Sequence, residues 1–271
     1  MRIIYLMIAV VLLSCKRTDQ NMNILSGKIK ALKVIDSVSS FAYEYEFYYN
    51  DSTGELINVK KNNAPYIDIY PVNDTTLGVN RLNDTSGVEH YEIIYNRQRQ
   101  VQSMKWVYDS AFKMDNYSFI YNTDKPDTIR ELGIPPLKFD IVNYDFAFEN
   151  NNCTSLVSSY QKAFLSGTIQ ETKTISYTYY DYENNYTIPL QTILQNPDVY
   201  ITTPTDVLTL AYIANLRELT VGYTNRNLIK ERESIWKYNY YFNSNGLVSK
   251  INWFDINNPS LLNKVYLLEY Y

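Results

Sequence analysis

The stretch Ile235–Phe254, IWKYNYYFNSNGLVSKINWF, predicts a β-hairpin with one buried face. Trp236, Tyr238 and Tyr240 alternate with polar residues, which is the period of a half-buried strand. Asn245-Gly246 is typical of a two-residue type I′ turn, because both central residues of that turn need φ > 0.

A two-residue loop at this position would also fix the register of the hairpin. It pairs Ser244 with Leu247, and it therefore sets Tyr240 opposite Ile251 and Tyr238 opposite Trp253. The aromatic side chains of the two strands then share one face, whereas a slip of one residue would divide them between two faces.

The same pattern recurs along the chain. Phe41–Tyr49 alternates aromatic residues with small or polar ones, Asp51-Ser52-Thr53-Gly54 follows as a turn, and Ile57 and Val59 are expected to return the apolar face. Further strands of this kind begin at or near the following residues: Tyr91, Met104, Tyr117, Tyr144, Leu156, Tyr177 and Lys264. Several short strands separated by turn signals indicate an antiparallel meander.

One segment has a different period. Val207, Leu210 and Ile213 fall on one face of a helix, and Thr205 or Asp206 is a suitable N-cap. The sequence thus predicts an all-β fold: a large twisted antiparallel meander, either a curved sheet or a partly open barrel, with one helix near 206–216 packed against it. Residues 24–271 are predicted to form a single domain.

The N-terminus has the pattern of a bacterial lipoprotein signal peptide. Ile3–Leu13 is an apolar run of 11 residues, which is too short to span a bilayer but suits a signal-peptide core. Leu12-Leu13-Ser14-Cys15 is similar to a lipobox, so we expect cleavage between Ser14 and Cys15 and lipidation of Cys15. Residues 1–14 are then the signal peptide, and 15–23 form a lipidated tether.

Charge and cysteine content restrict the partners. The formal net charge of −4 becomes −5 once Arg2 is removed with the signal peptide. An acidic chain without a long basic block argues against nucleic-acid binding. Lipidation of Cys15 leaves Cys153 as the one thiol, so no internal disulfide is expected.

Several of these features resemble an uncharacterised family of bacterial lipoproteins with Tyr-rich β-hairpin repeats. They are the lipobox, the hairpin starts, Tyr180–Asn185 (YDYENN), and the predicted helix followed by Asn227-Leu228-Ile229 and the hairpin 235–254. The resemblance implies a porin-like antiparallel sheet, and it implies no activity. Because Lys16 follows Cys15, in place of the aspartate that retains some lipoproteins in the inner membrane, the outer membrane is the expected address. The chain departs from the family pattern where Tyr186 and Ile229 stand in place of proline.

Enzymatic chemistry has little support in the sequence. His90 is the only histidine, and it is predicted to face solvent on a strand, so neither a nucleophile–histidine pair nor a conventional zinc site is expected. No cofactor is predicted. Carboxylates offer one alternative, a hydrolase acting on glycans, for which Glu44 with Glu46 or Asp181 with Glu183 are the candidates.

The aromatic rows admit two interpretations. Trp236, Tyr238, Tyr240 and Trp253 are either core or the lining of a concave surface that takes an apolar or glycan ligand. The leading hypothesis is a non-enzymatic, lipid-anchored envelope protein that binds a ligand or partner on its sheet, with acyl chains as one ligand class. The alternative is a structural or interaction lipoprotein with no ligand cavity, which contacts another envelope protein.

Overall fold

The computed structural model describes residues 25–37, 40–83, 87–109, 112–121, 126–132, 140–164, 167–183 and 226–271. The predicted helix near 206–216 and the N-terminal segment with Ser14 and Cys15 lie outside these ranges. The described residues form sixteen strands: β1 (Ile29–Asp36), β2 (Phe41–Tyr49), β3 (Leu56–Lys61), β4 (Ala64–Asn73), β5 (Thr76–Asn83), β6 (Gly87–Tyr95), β7 (Val101–Asp109), β8 (Phe112–Tyr121), β9 (Pro126–Leu132), β10 (Asp140–Glu149), β11 (Asn152–Phe164), β12 (Gly167–Glu183), β13 (Asn227–Arg232), β14 (Trp236–Phe242), β15 (Val248–Asp255) and β16 (Asn258–Tyr270).

Every strand pairs antiparallel with its neighbours in the sequence, which confirms the predicted all-β meander. The first strand also pairs with the last, over Ile29–Asp36 and Lys264–Tyr270, so the sheet closes on itself as a barrel. The pairing of β1 with β16 therefore goes beyond both forms expected from the sequence, the curved sheet and the partly open barrel. In the part of the chain that the structure describes, no helix is long and apolar enough to cross a membrane.

The hairpin of β14 and β15 has the predicted register, with Tyr238 opposite Trp253 and Tyr240 opposite Ile251. The predicted two-residue turn is wrong. Gly246 has φ of 77° and its N–H donates to the carbonyl of Asn243, while a bulge after Tyr241 absorbs the additional loop residue. The bulge keeps the aromatic faces aligned although the turn is longer than expected.

Type I′ turns occur elsewhere in the sheet. Both central residues have positive φ at Asn62-Asn63, at Asn150-Asn151 and at Glu233-Ser234. These pairs join β3 to β4, β10 to β11 and β13 to β14. Asparagine tolerates this conformation well, whereas glutamate and serine adopt it at a cost.

A second bulge corrects the expectation for Ile57. Phe47 lies opposite Val59 as predicted, but the register shifts next to Tyr49, which pairs with Leu56. Leu56 is consequently buried, and Ile57 points outward and is exposed. The apolar face of β3 is therefore formed by Leu56 and Val59.

The inward side chains form an apolar core. Those that are 0–2% exposed include Leu32, Phe47, Leu56, Ile67, Leu77, Ile93, Met104, Leu156, Ile175, Ile229 and Ile251. A round sheet of sixteen strands would leave an aqueous channel. A side chain that lined such a channel would retain exposed area, so the interior is packed at the level of this core. Each buried Leu, Ile or Phe contributes about 1.5–3 kcal/mol relative to an exposed one.

Burial is uneven along the strands. On β2, Phe47 and Tyr49 are buried, Tyr43 and Tyr45 are half-buried, and Phe41 is 72% exposed although it belongs to the same inward row. We call the end of the sheet that contains Phe41 and the turns after β1, β3 and β13 the upper end. The apolar core thins towards this end.

Candidate functional site

The four aromatic residues singled out from the sequence lie on the inward side of β14 and β15. Tyr238 is fully buried, and the ring of Trp253 stacks on it at 6.1 Å between centroids. Trp236 meets Trp253 edge to face at 5.4 Å. The hydroxyl of Tyr240 donates to the carbonyl of Ile229 at 2.9 Å. Tyr238 therefore belongs to the core, and the other three are half-buried beside it.

Trp253 carries a cation on its ring. The Lys264 ammonium lies 5.0 Å from the ring centroid. Among the residues that the structure describes, no carboxylate comes within ion-pair distance of this ammonium. The Trp253 Nε1 is buried and has no hydrogen-bond acceptor in the same part of the chain, although an unpaired buried N–H costs about 1–3 kcal/mol.

Lys264 and Trp253 belong to a row of register partners that crosses five strands at the upper end. Asp36 lies opposite Phe41 on one side and Lys264 on the other, Lys264 lies opposite Trp253, and Trp253 lies opposite Tyr238. Because register partners point to the same face, these side chains form one inward-facing line. We call Phe41, Asp36, Lys264, Trp253 and Tyr238 the upper row.

A second ammonium lies near the β2 end of the upper row. Lys61 has its Nζ 5.3 Å from the ring centroid of Tyr43, 5.8 Å from that of Tyr45 and 5.3 Å from that of Tyr66. It too has no carboxylate within ion-pair distance among the described residues. Burial raises the pKa of Tyr43, and the negative charge of Asp36 raises it further.

An ion-pair cluster lies on the other side of the upper row. Arg232 is buried, and its Nε lies 3.5 Å from the Glu233 carboxylate. The same carboxylate forms an ion pair with the Lys173 ammonium at 3.0 Å. Burial strongly raises the pKa of the neighbouring Tyr177, and the positive charge of Arg232 opposes that rise. The strained turn at Glu233-Ser234 thus places one carboxylate between two cations.

Arg81 and Glu89 form a third charged pair on the inward face, at 3.6 Å. The hydroxyl of Tyr91 donates to the Glu89 carboxylate at 2.8 Å. Burial raises the pKa of Tyr91, and this hydrogen bond raises it further because it favours the protonated phenol. The inward charges are therefore concentrated on the upper half of the sheet.

These inward charges were missed at the level of the sequence, although the period of two contains them. Lys61 has the same parity as Val59, Asp36 the same as Val34, and Lys264 the same as Tyr266. A charged residue that continues a buried row was the available signal.

The other sequence candidates lie apart from this site. His90 is exposed on the outer face, with its Nδ1 2.7 Å from the Asn80 Oδ1. Glu44 and Glu46 occupy the outer row of β2, and Glu46 accepts a hydrogen bond from the hydroxyl of Tyr48. Asp181 is exposed, and the side chain of Glu183 lies outside the description. Cys153 is buried, and its thiol donates to the carbonyl of Ser155 at 3.3 Å.

No metal site is present in the described ranges, where no group of three or more His, Cys, Asp or Glu residues could hold an ion. The described residues instead define an all-β protein with one closed antiparallel sheet, an apolar core, and an aromatic and charged row at one end of its inward face.

Comparison with known proteins supports this class at the level of the fold. The structure is similar to the crystal structure of a porin-like protein from Bacteroides uniformis ATCC 8492, with 14% sequence identity and a TM-score of 0.54. The match covers 89% of this chain and 98% of that chain. No protein-family profile matches the sequence. No curated protein matches it either.

Proposed function

We propose that this chain is a non-enzymatic, lipid-anchored protein of the cell envelope, tethered through Cys15, that binds a ligand at the upper row. The outer membrane is the expected site, because Lys16 follows Cys15 in place of the aspartate that retains some lipoproteins in the inner membrane. The porin-like structural neighbour supports the fold on which this proposal is built.

The observation that carries the binding role is the composition of the inward face. In a sheet interior that serves stability alone, apolar residues have the lowest free energy of burial, because buried charges lose their hydration. Here Asp36 and Lys264 interrupt an aromatic row, and the ammonium groups of Lys61 and Lys264 lie on aromatic rings rather than against carboxylates. Such departures from a simple core are expected at functional sites.

The outer face supports a sheet that faces water. Strands that cross a bilayer turn apolar side chains outward. The outer row of β2 instead contains Glu44 and Glu46, that of β14 contains Lys237 and Asn239, and that of β15 contains Lys250. We therefore propose that the lipid on Cys15 attaches the protein to the membrane, and we do not propose a porin-type pore for this chain.

The packed core favours a short or surface-bound ligand over a long acyl chain. A channel for an acyl chain would run through the level of Phe47, Ile93 and Ile251, which are 0–1% exposed. The same packing favours the second candidate function, an interaction lipoprotein without a ligand. Hydrolysis by a carboxylate pair stays a prediction.

Replacement of Cys15 tests the anchor. In cells expressing Cys15→Ala, we expect the protein to leave the membrane fraction and to lose incorporation of labelled palmitate. Cys153→Ala is the matched control, since it removes the buried thiol and leaves the lipobox intact. Continued membrane association and labelling of the Cys15→Ala protein would contradict the proposed anchor.

Tryptophan emission tests the binding role. Two of the three tryptophans, Trp236 and Trp253, lie at the upper row or directly beside it. We expect at least one class of small ligand, an oligosaccharide or a fatty acid, to change the emission in a saturable manner. If no class changes it, the interaction lipoprotein becomes the better account.

A further inference from the structure

We propose that the upper row is a platform for a glycan chain, which would lie across β2, β1, β16 and β15, beside the buried Tyr238. This inference rests on the proposed function and specifies the ligand class.

The length of the row suits an oligosaccharide. Its accessible members, Phe41, Asp36, Lys264 and Trp253, are successive register partners on four neighbouring strands, so three inter-strand steps separate Phe41 from Trp253. At about 4.8 Å for each step, this part of the row extends over about 14 Å. A single sugar or an inorganic ion would contact only a part of it.

The order of the side chains suits the two surfaces of a sugar. Phe41, which is 72% exposed, and Trp253 offer flat apolar faces on either side of a central carboxylate and ammonium. Sugar rings present apolar C–H faces that pack on aromatic rings, and hydroxyl groups that both donate and accept hydrogen bonds. Asp36 can accept from such hydroxyls, and Lys264 can donate to them.

Other ligand classes fit this order less well. A hydrocarbon chain would cover the charges of Asp36 and Lys264 without offering them hydrogen bonds, which is unfavourable. An added peptide strand would need a sheet edge, but both edges of each strand that contributes to the row are used in ladder pairing. A glycan uses the aromatic and the charged groups together.

Lys264 is available to such a ligand. Its register partner is Asp36, yet its ammonium lies on the Trp253 ring instead of forming an ion pair. Turning from the ring towards a ligand would therefore break no salt bridge. The Nε1 of Trp253 is buried and has no acceptor in the described ranges. An apolar side chain without an N–H would therefore be more stable at this position than the indole.

The three tyrosine rings around the Lys61 ammonium extend the platform. Tyr43 follows Phe41 on the inward row of β2, and its ring lies edge to face against Tyr45 at 5.5 Å. The Lys61 ammonium, within 6 Å of three tyrosine rings, holds these rings in place. Preordered aromatic faces lose little conformational entropy when a sugar binds.

The test is a calorimetric and tryptophan-emission titration of the mature chain with maltohexaose, xylohexaose and hexagalacturonate, and with oleate and inorganic phosphate as non-glycan probes. We expect at least one hexasaccharide to bind, and to bind at least about tenfold more tightly than its monosaccharide. A hydrogen bond to a charged group is commonly equivalent to about a tenfold change in affinity or more, so Lys264→Gln should weaken binding to that extent.

The matched control is Lys250→Gln. Lys250 also has its ammonium over an aromatic ring, that of Tyr241 at 5.3 Å, but on the outer face. It should leave glycan affinity unchanged. Phe41→Ala removes an exposed ring and is expected to fold normally, so its loss of glycan affinity, with an unchanged melting temperature, would separate binding from folding.

The outcomes distinguish this inference from the proposed function. Binding of oleate or phosphate that depends on Lys264, without binding of any hexasaccharide, would overturn the glycan assignment and leave a ligand site at the upper row. Equal effects of Lys264→Gln and Lys250→Gln would also overturn it. If no probe binds, both proposals fail.

Discussion

Gly78 lies on the outer face at a position where the neighbouring Tyr70 side chain leaves no room for a Cβ. A Cβ placed on Gly78 would lie 2.4 Å from the ring carbons Cε2 and Cζ of Tyr70, which covers this glycine from the adjacent strand. The Tyr70 hydroxyl reaches Asn80 at 3.3 Å. The ring thus shields a strand position that glycine by itself leaves unprotected.

A double-mutant cycle tests this contact. Gly78→Ala alone is expected to destabilise the fold by about 1 kcal/mol, because the Tyr70 ring must move away. In a Tyr70→Ala background the same change should be neutral or stabilising by about 0.5 kcal/mol, since alanine loses less backbone entropy than glycine. Urea unfolding measures both values, and equal effects in the two backgrounds would disprove the coupling.

The backbone pairing of β13 with β14, which we call the joint, is the shortest in the closed sheet. The two strands pair only at Glu231 with Lys237 and at Arg232 with Trp236. Beyond these pairs, tyrosine hydroxyls take the place of backbone donors: Tyr240 donates to the carbonyl of Ile229 at 2.9 Å. Tyr180 of β12 donates to the carbonyl of Tyr238 at 3.1 Å. Side chains therefore complete the sheet where the ladder stops.

Removal of either hydroxyl should weaken this joint. We expect Tyr240→Phe and Tyr180→Phe each to lower the free energy of unfolding by about 0.5–1.5 kcal/mol. Amide exchange should become faster in β13 and β14 before it changes elsewhere. Tyr241→Phe is the control, because its exposed hydroxyl contacts only the Asn252 side chain, at 3.4 Å, among the hydrogen bonds found for it. An equal loss in that variant would refute a special role for the joint.

The whole molecule is built on buried tyrosines, and this sets its alkaline limit. Burial raises the pKa of Tyr49, Tyr177 and Tyr270 well above the ordinary value of 10.0. Each of these phenols binds its proton more tightly in the folded protein than in the unfolded chain. Their contribution is complete below pH 10.0 and is lost as the pH rises above that value.

Alkaline titration with parallel unfolding measurements checks this expectation. The stability should fall with rising pH beyond about 10, and phenolate absorbance should rise together with unfolding. Tyr270→Phe loses a hydrogen bond to the carbonyl of Val248, so it should be less stable at neutral pH but decline less steeply in alkali. Ile251→Val, which is destabilising without removing a titratable group, should keep the wild-type slope.

Much of the fold could be predicted because a period of two is a local property of the chain. The alternation of Tyr238 and Tyr240 with polar residues placed them on one face with Trp253 and Ile251, and the bulge after Tyr241 preserved the expected register although the two-residue turn was wrong. Turn geometry was less predictable: a bulge reversed the expectation for Ile57 and lengthened the turn at Gly246. A bulge adds one residue without a distinct composition, so the sequence pattern does not reveal it.

The sequence by itself determined the all-β class, the alternating faces of the aromatic strands and the acidic charge, because these depend on neighbouring residues and composition. Only the tertiary structure decided that β1 pairs with β16 and that Phe41, Asp36, Lys264 and Trp253 form one row. Asp36 and Phe41 precede Trp253 and Lys264 by more than two hundred positions in the sequence. Their alignment in one row follows from the closure of the ring. The aromatic residues of the hairpin 235–254 acquire a candidate role in binding only through that closure.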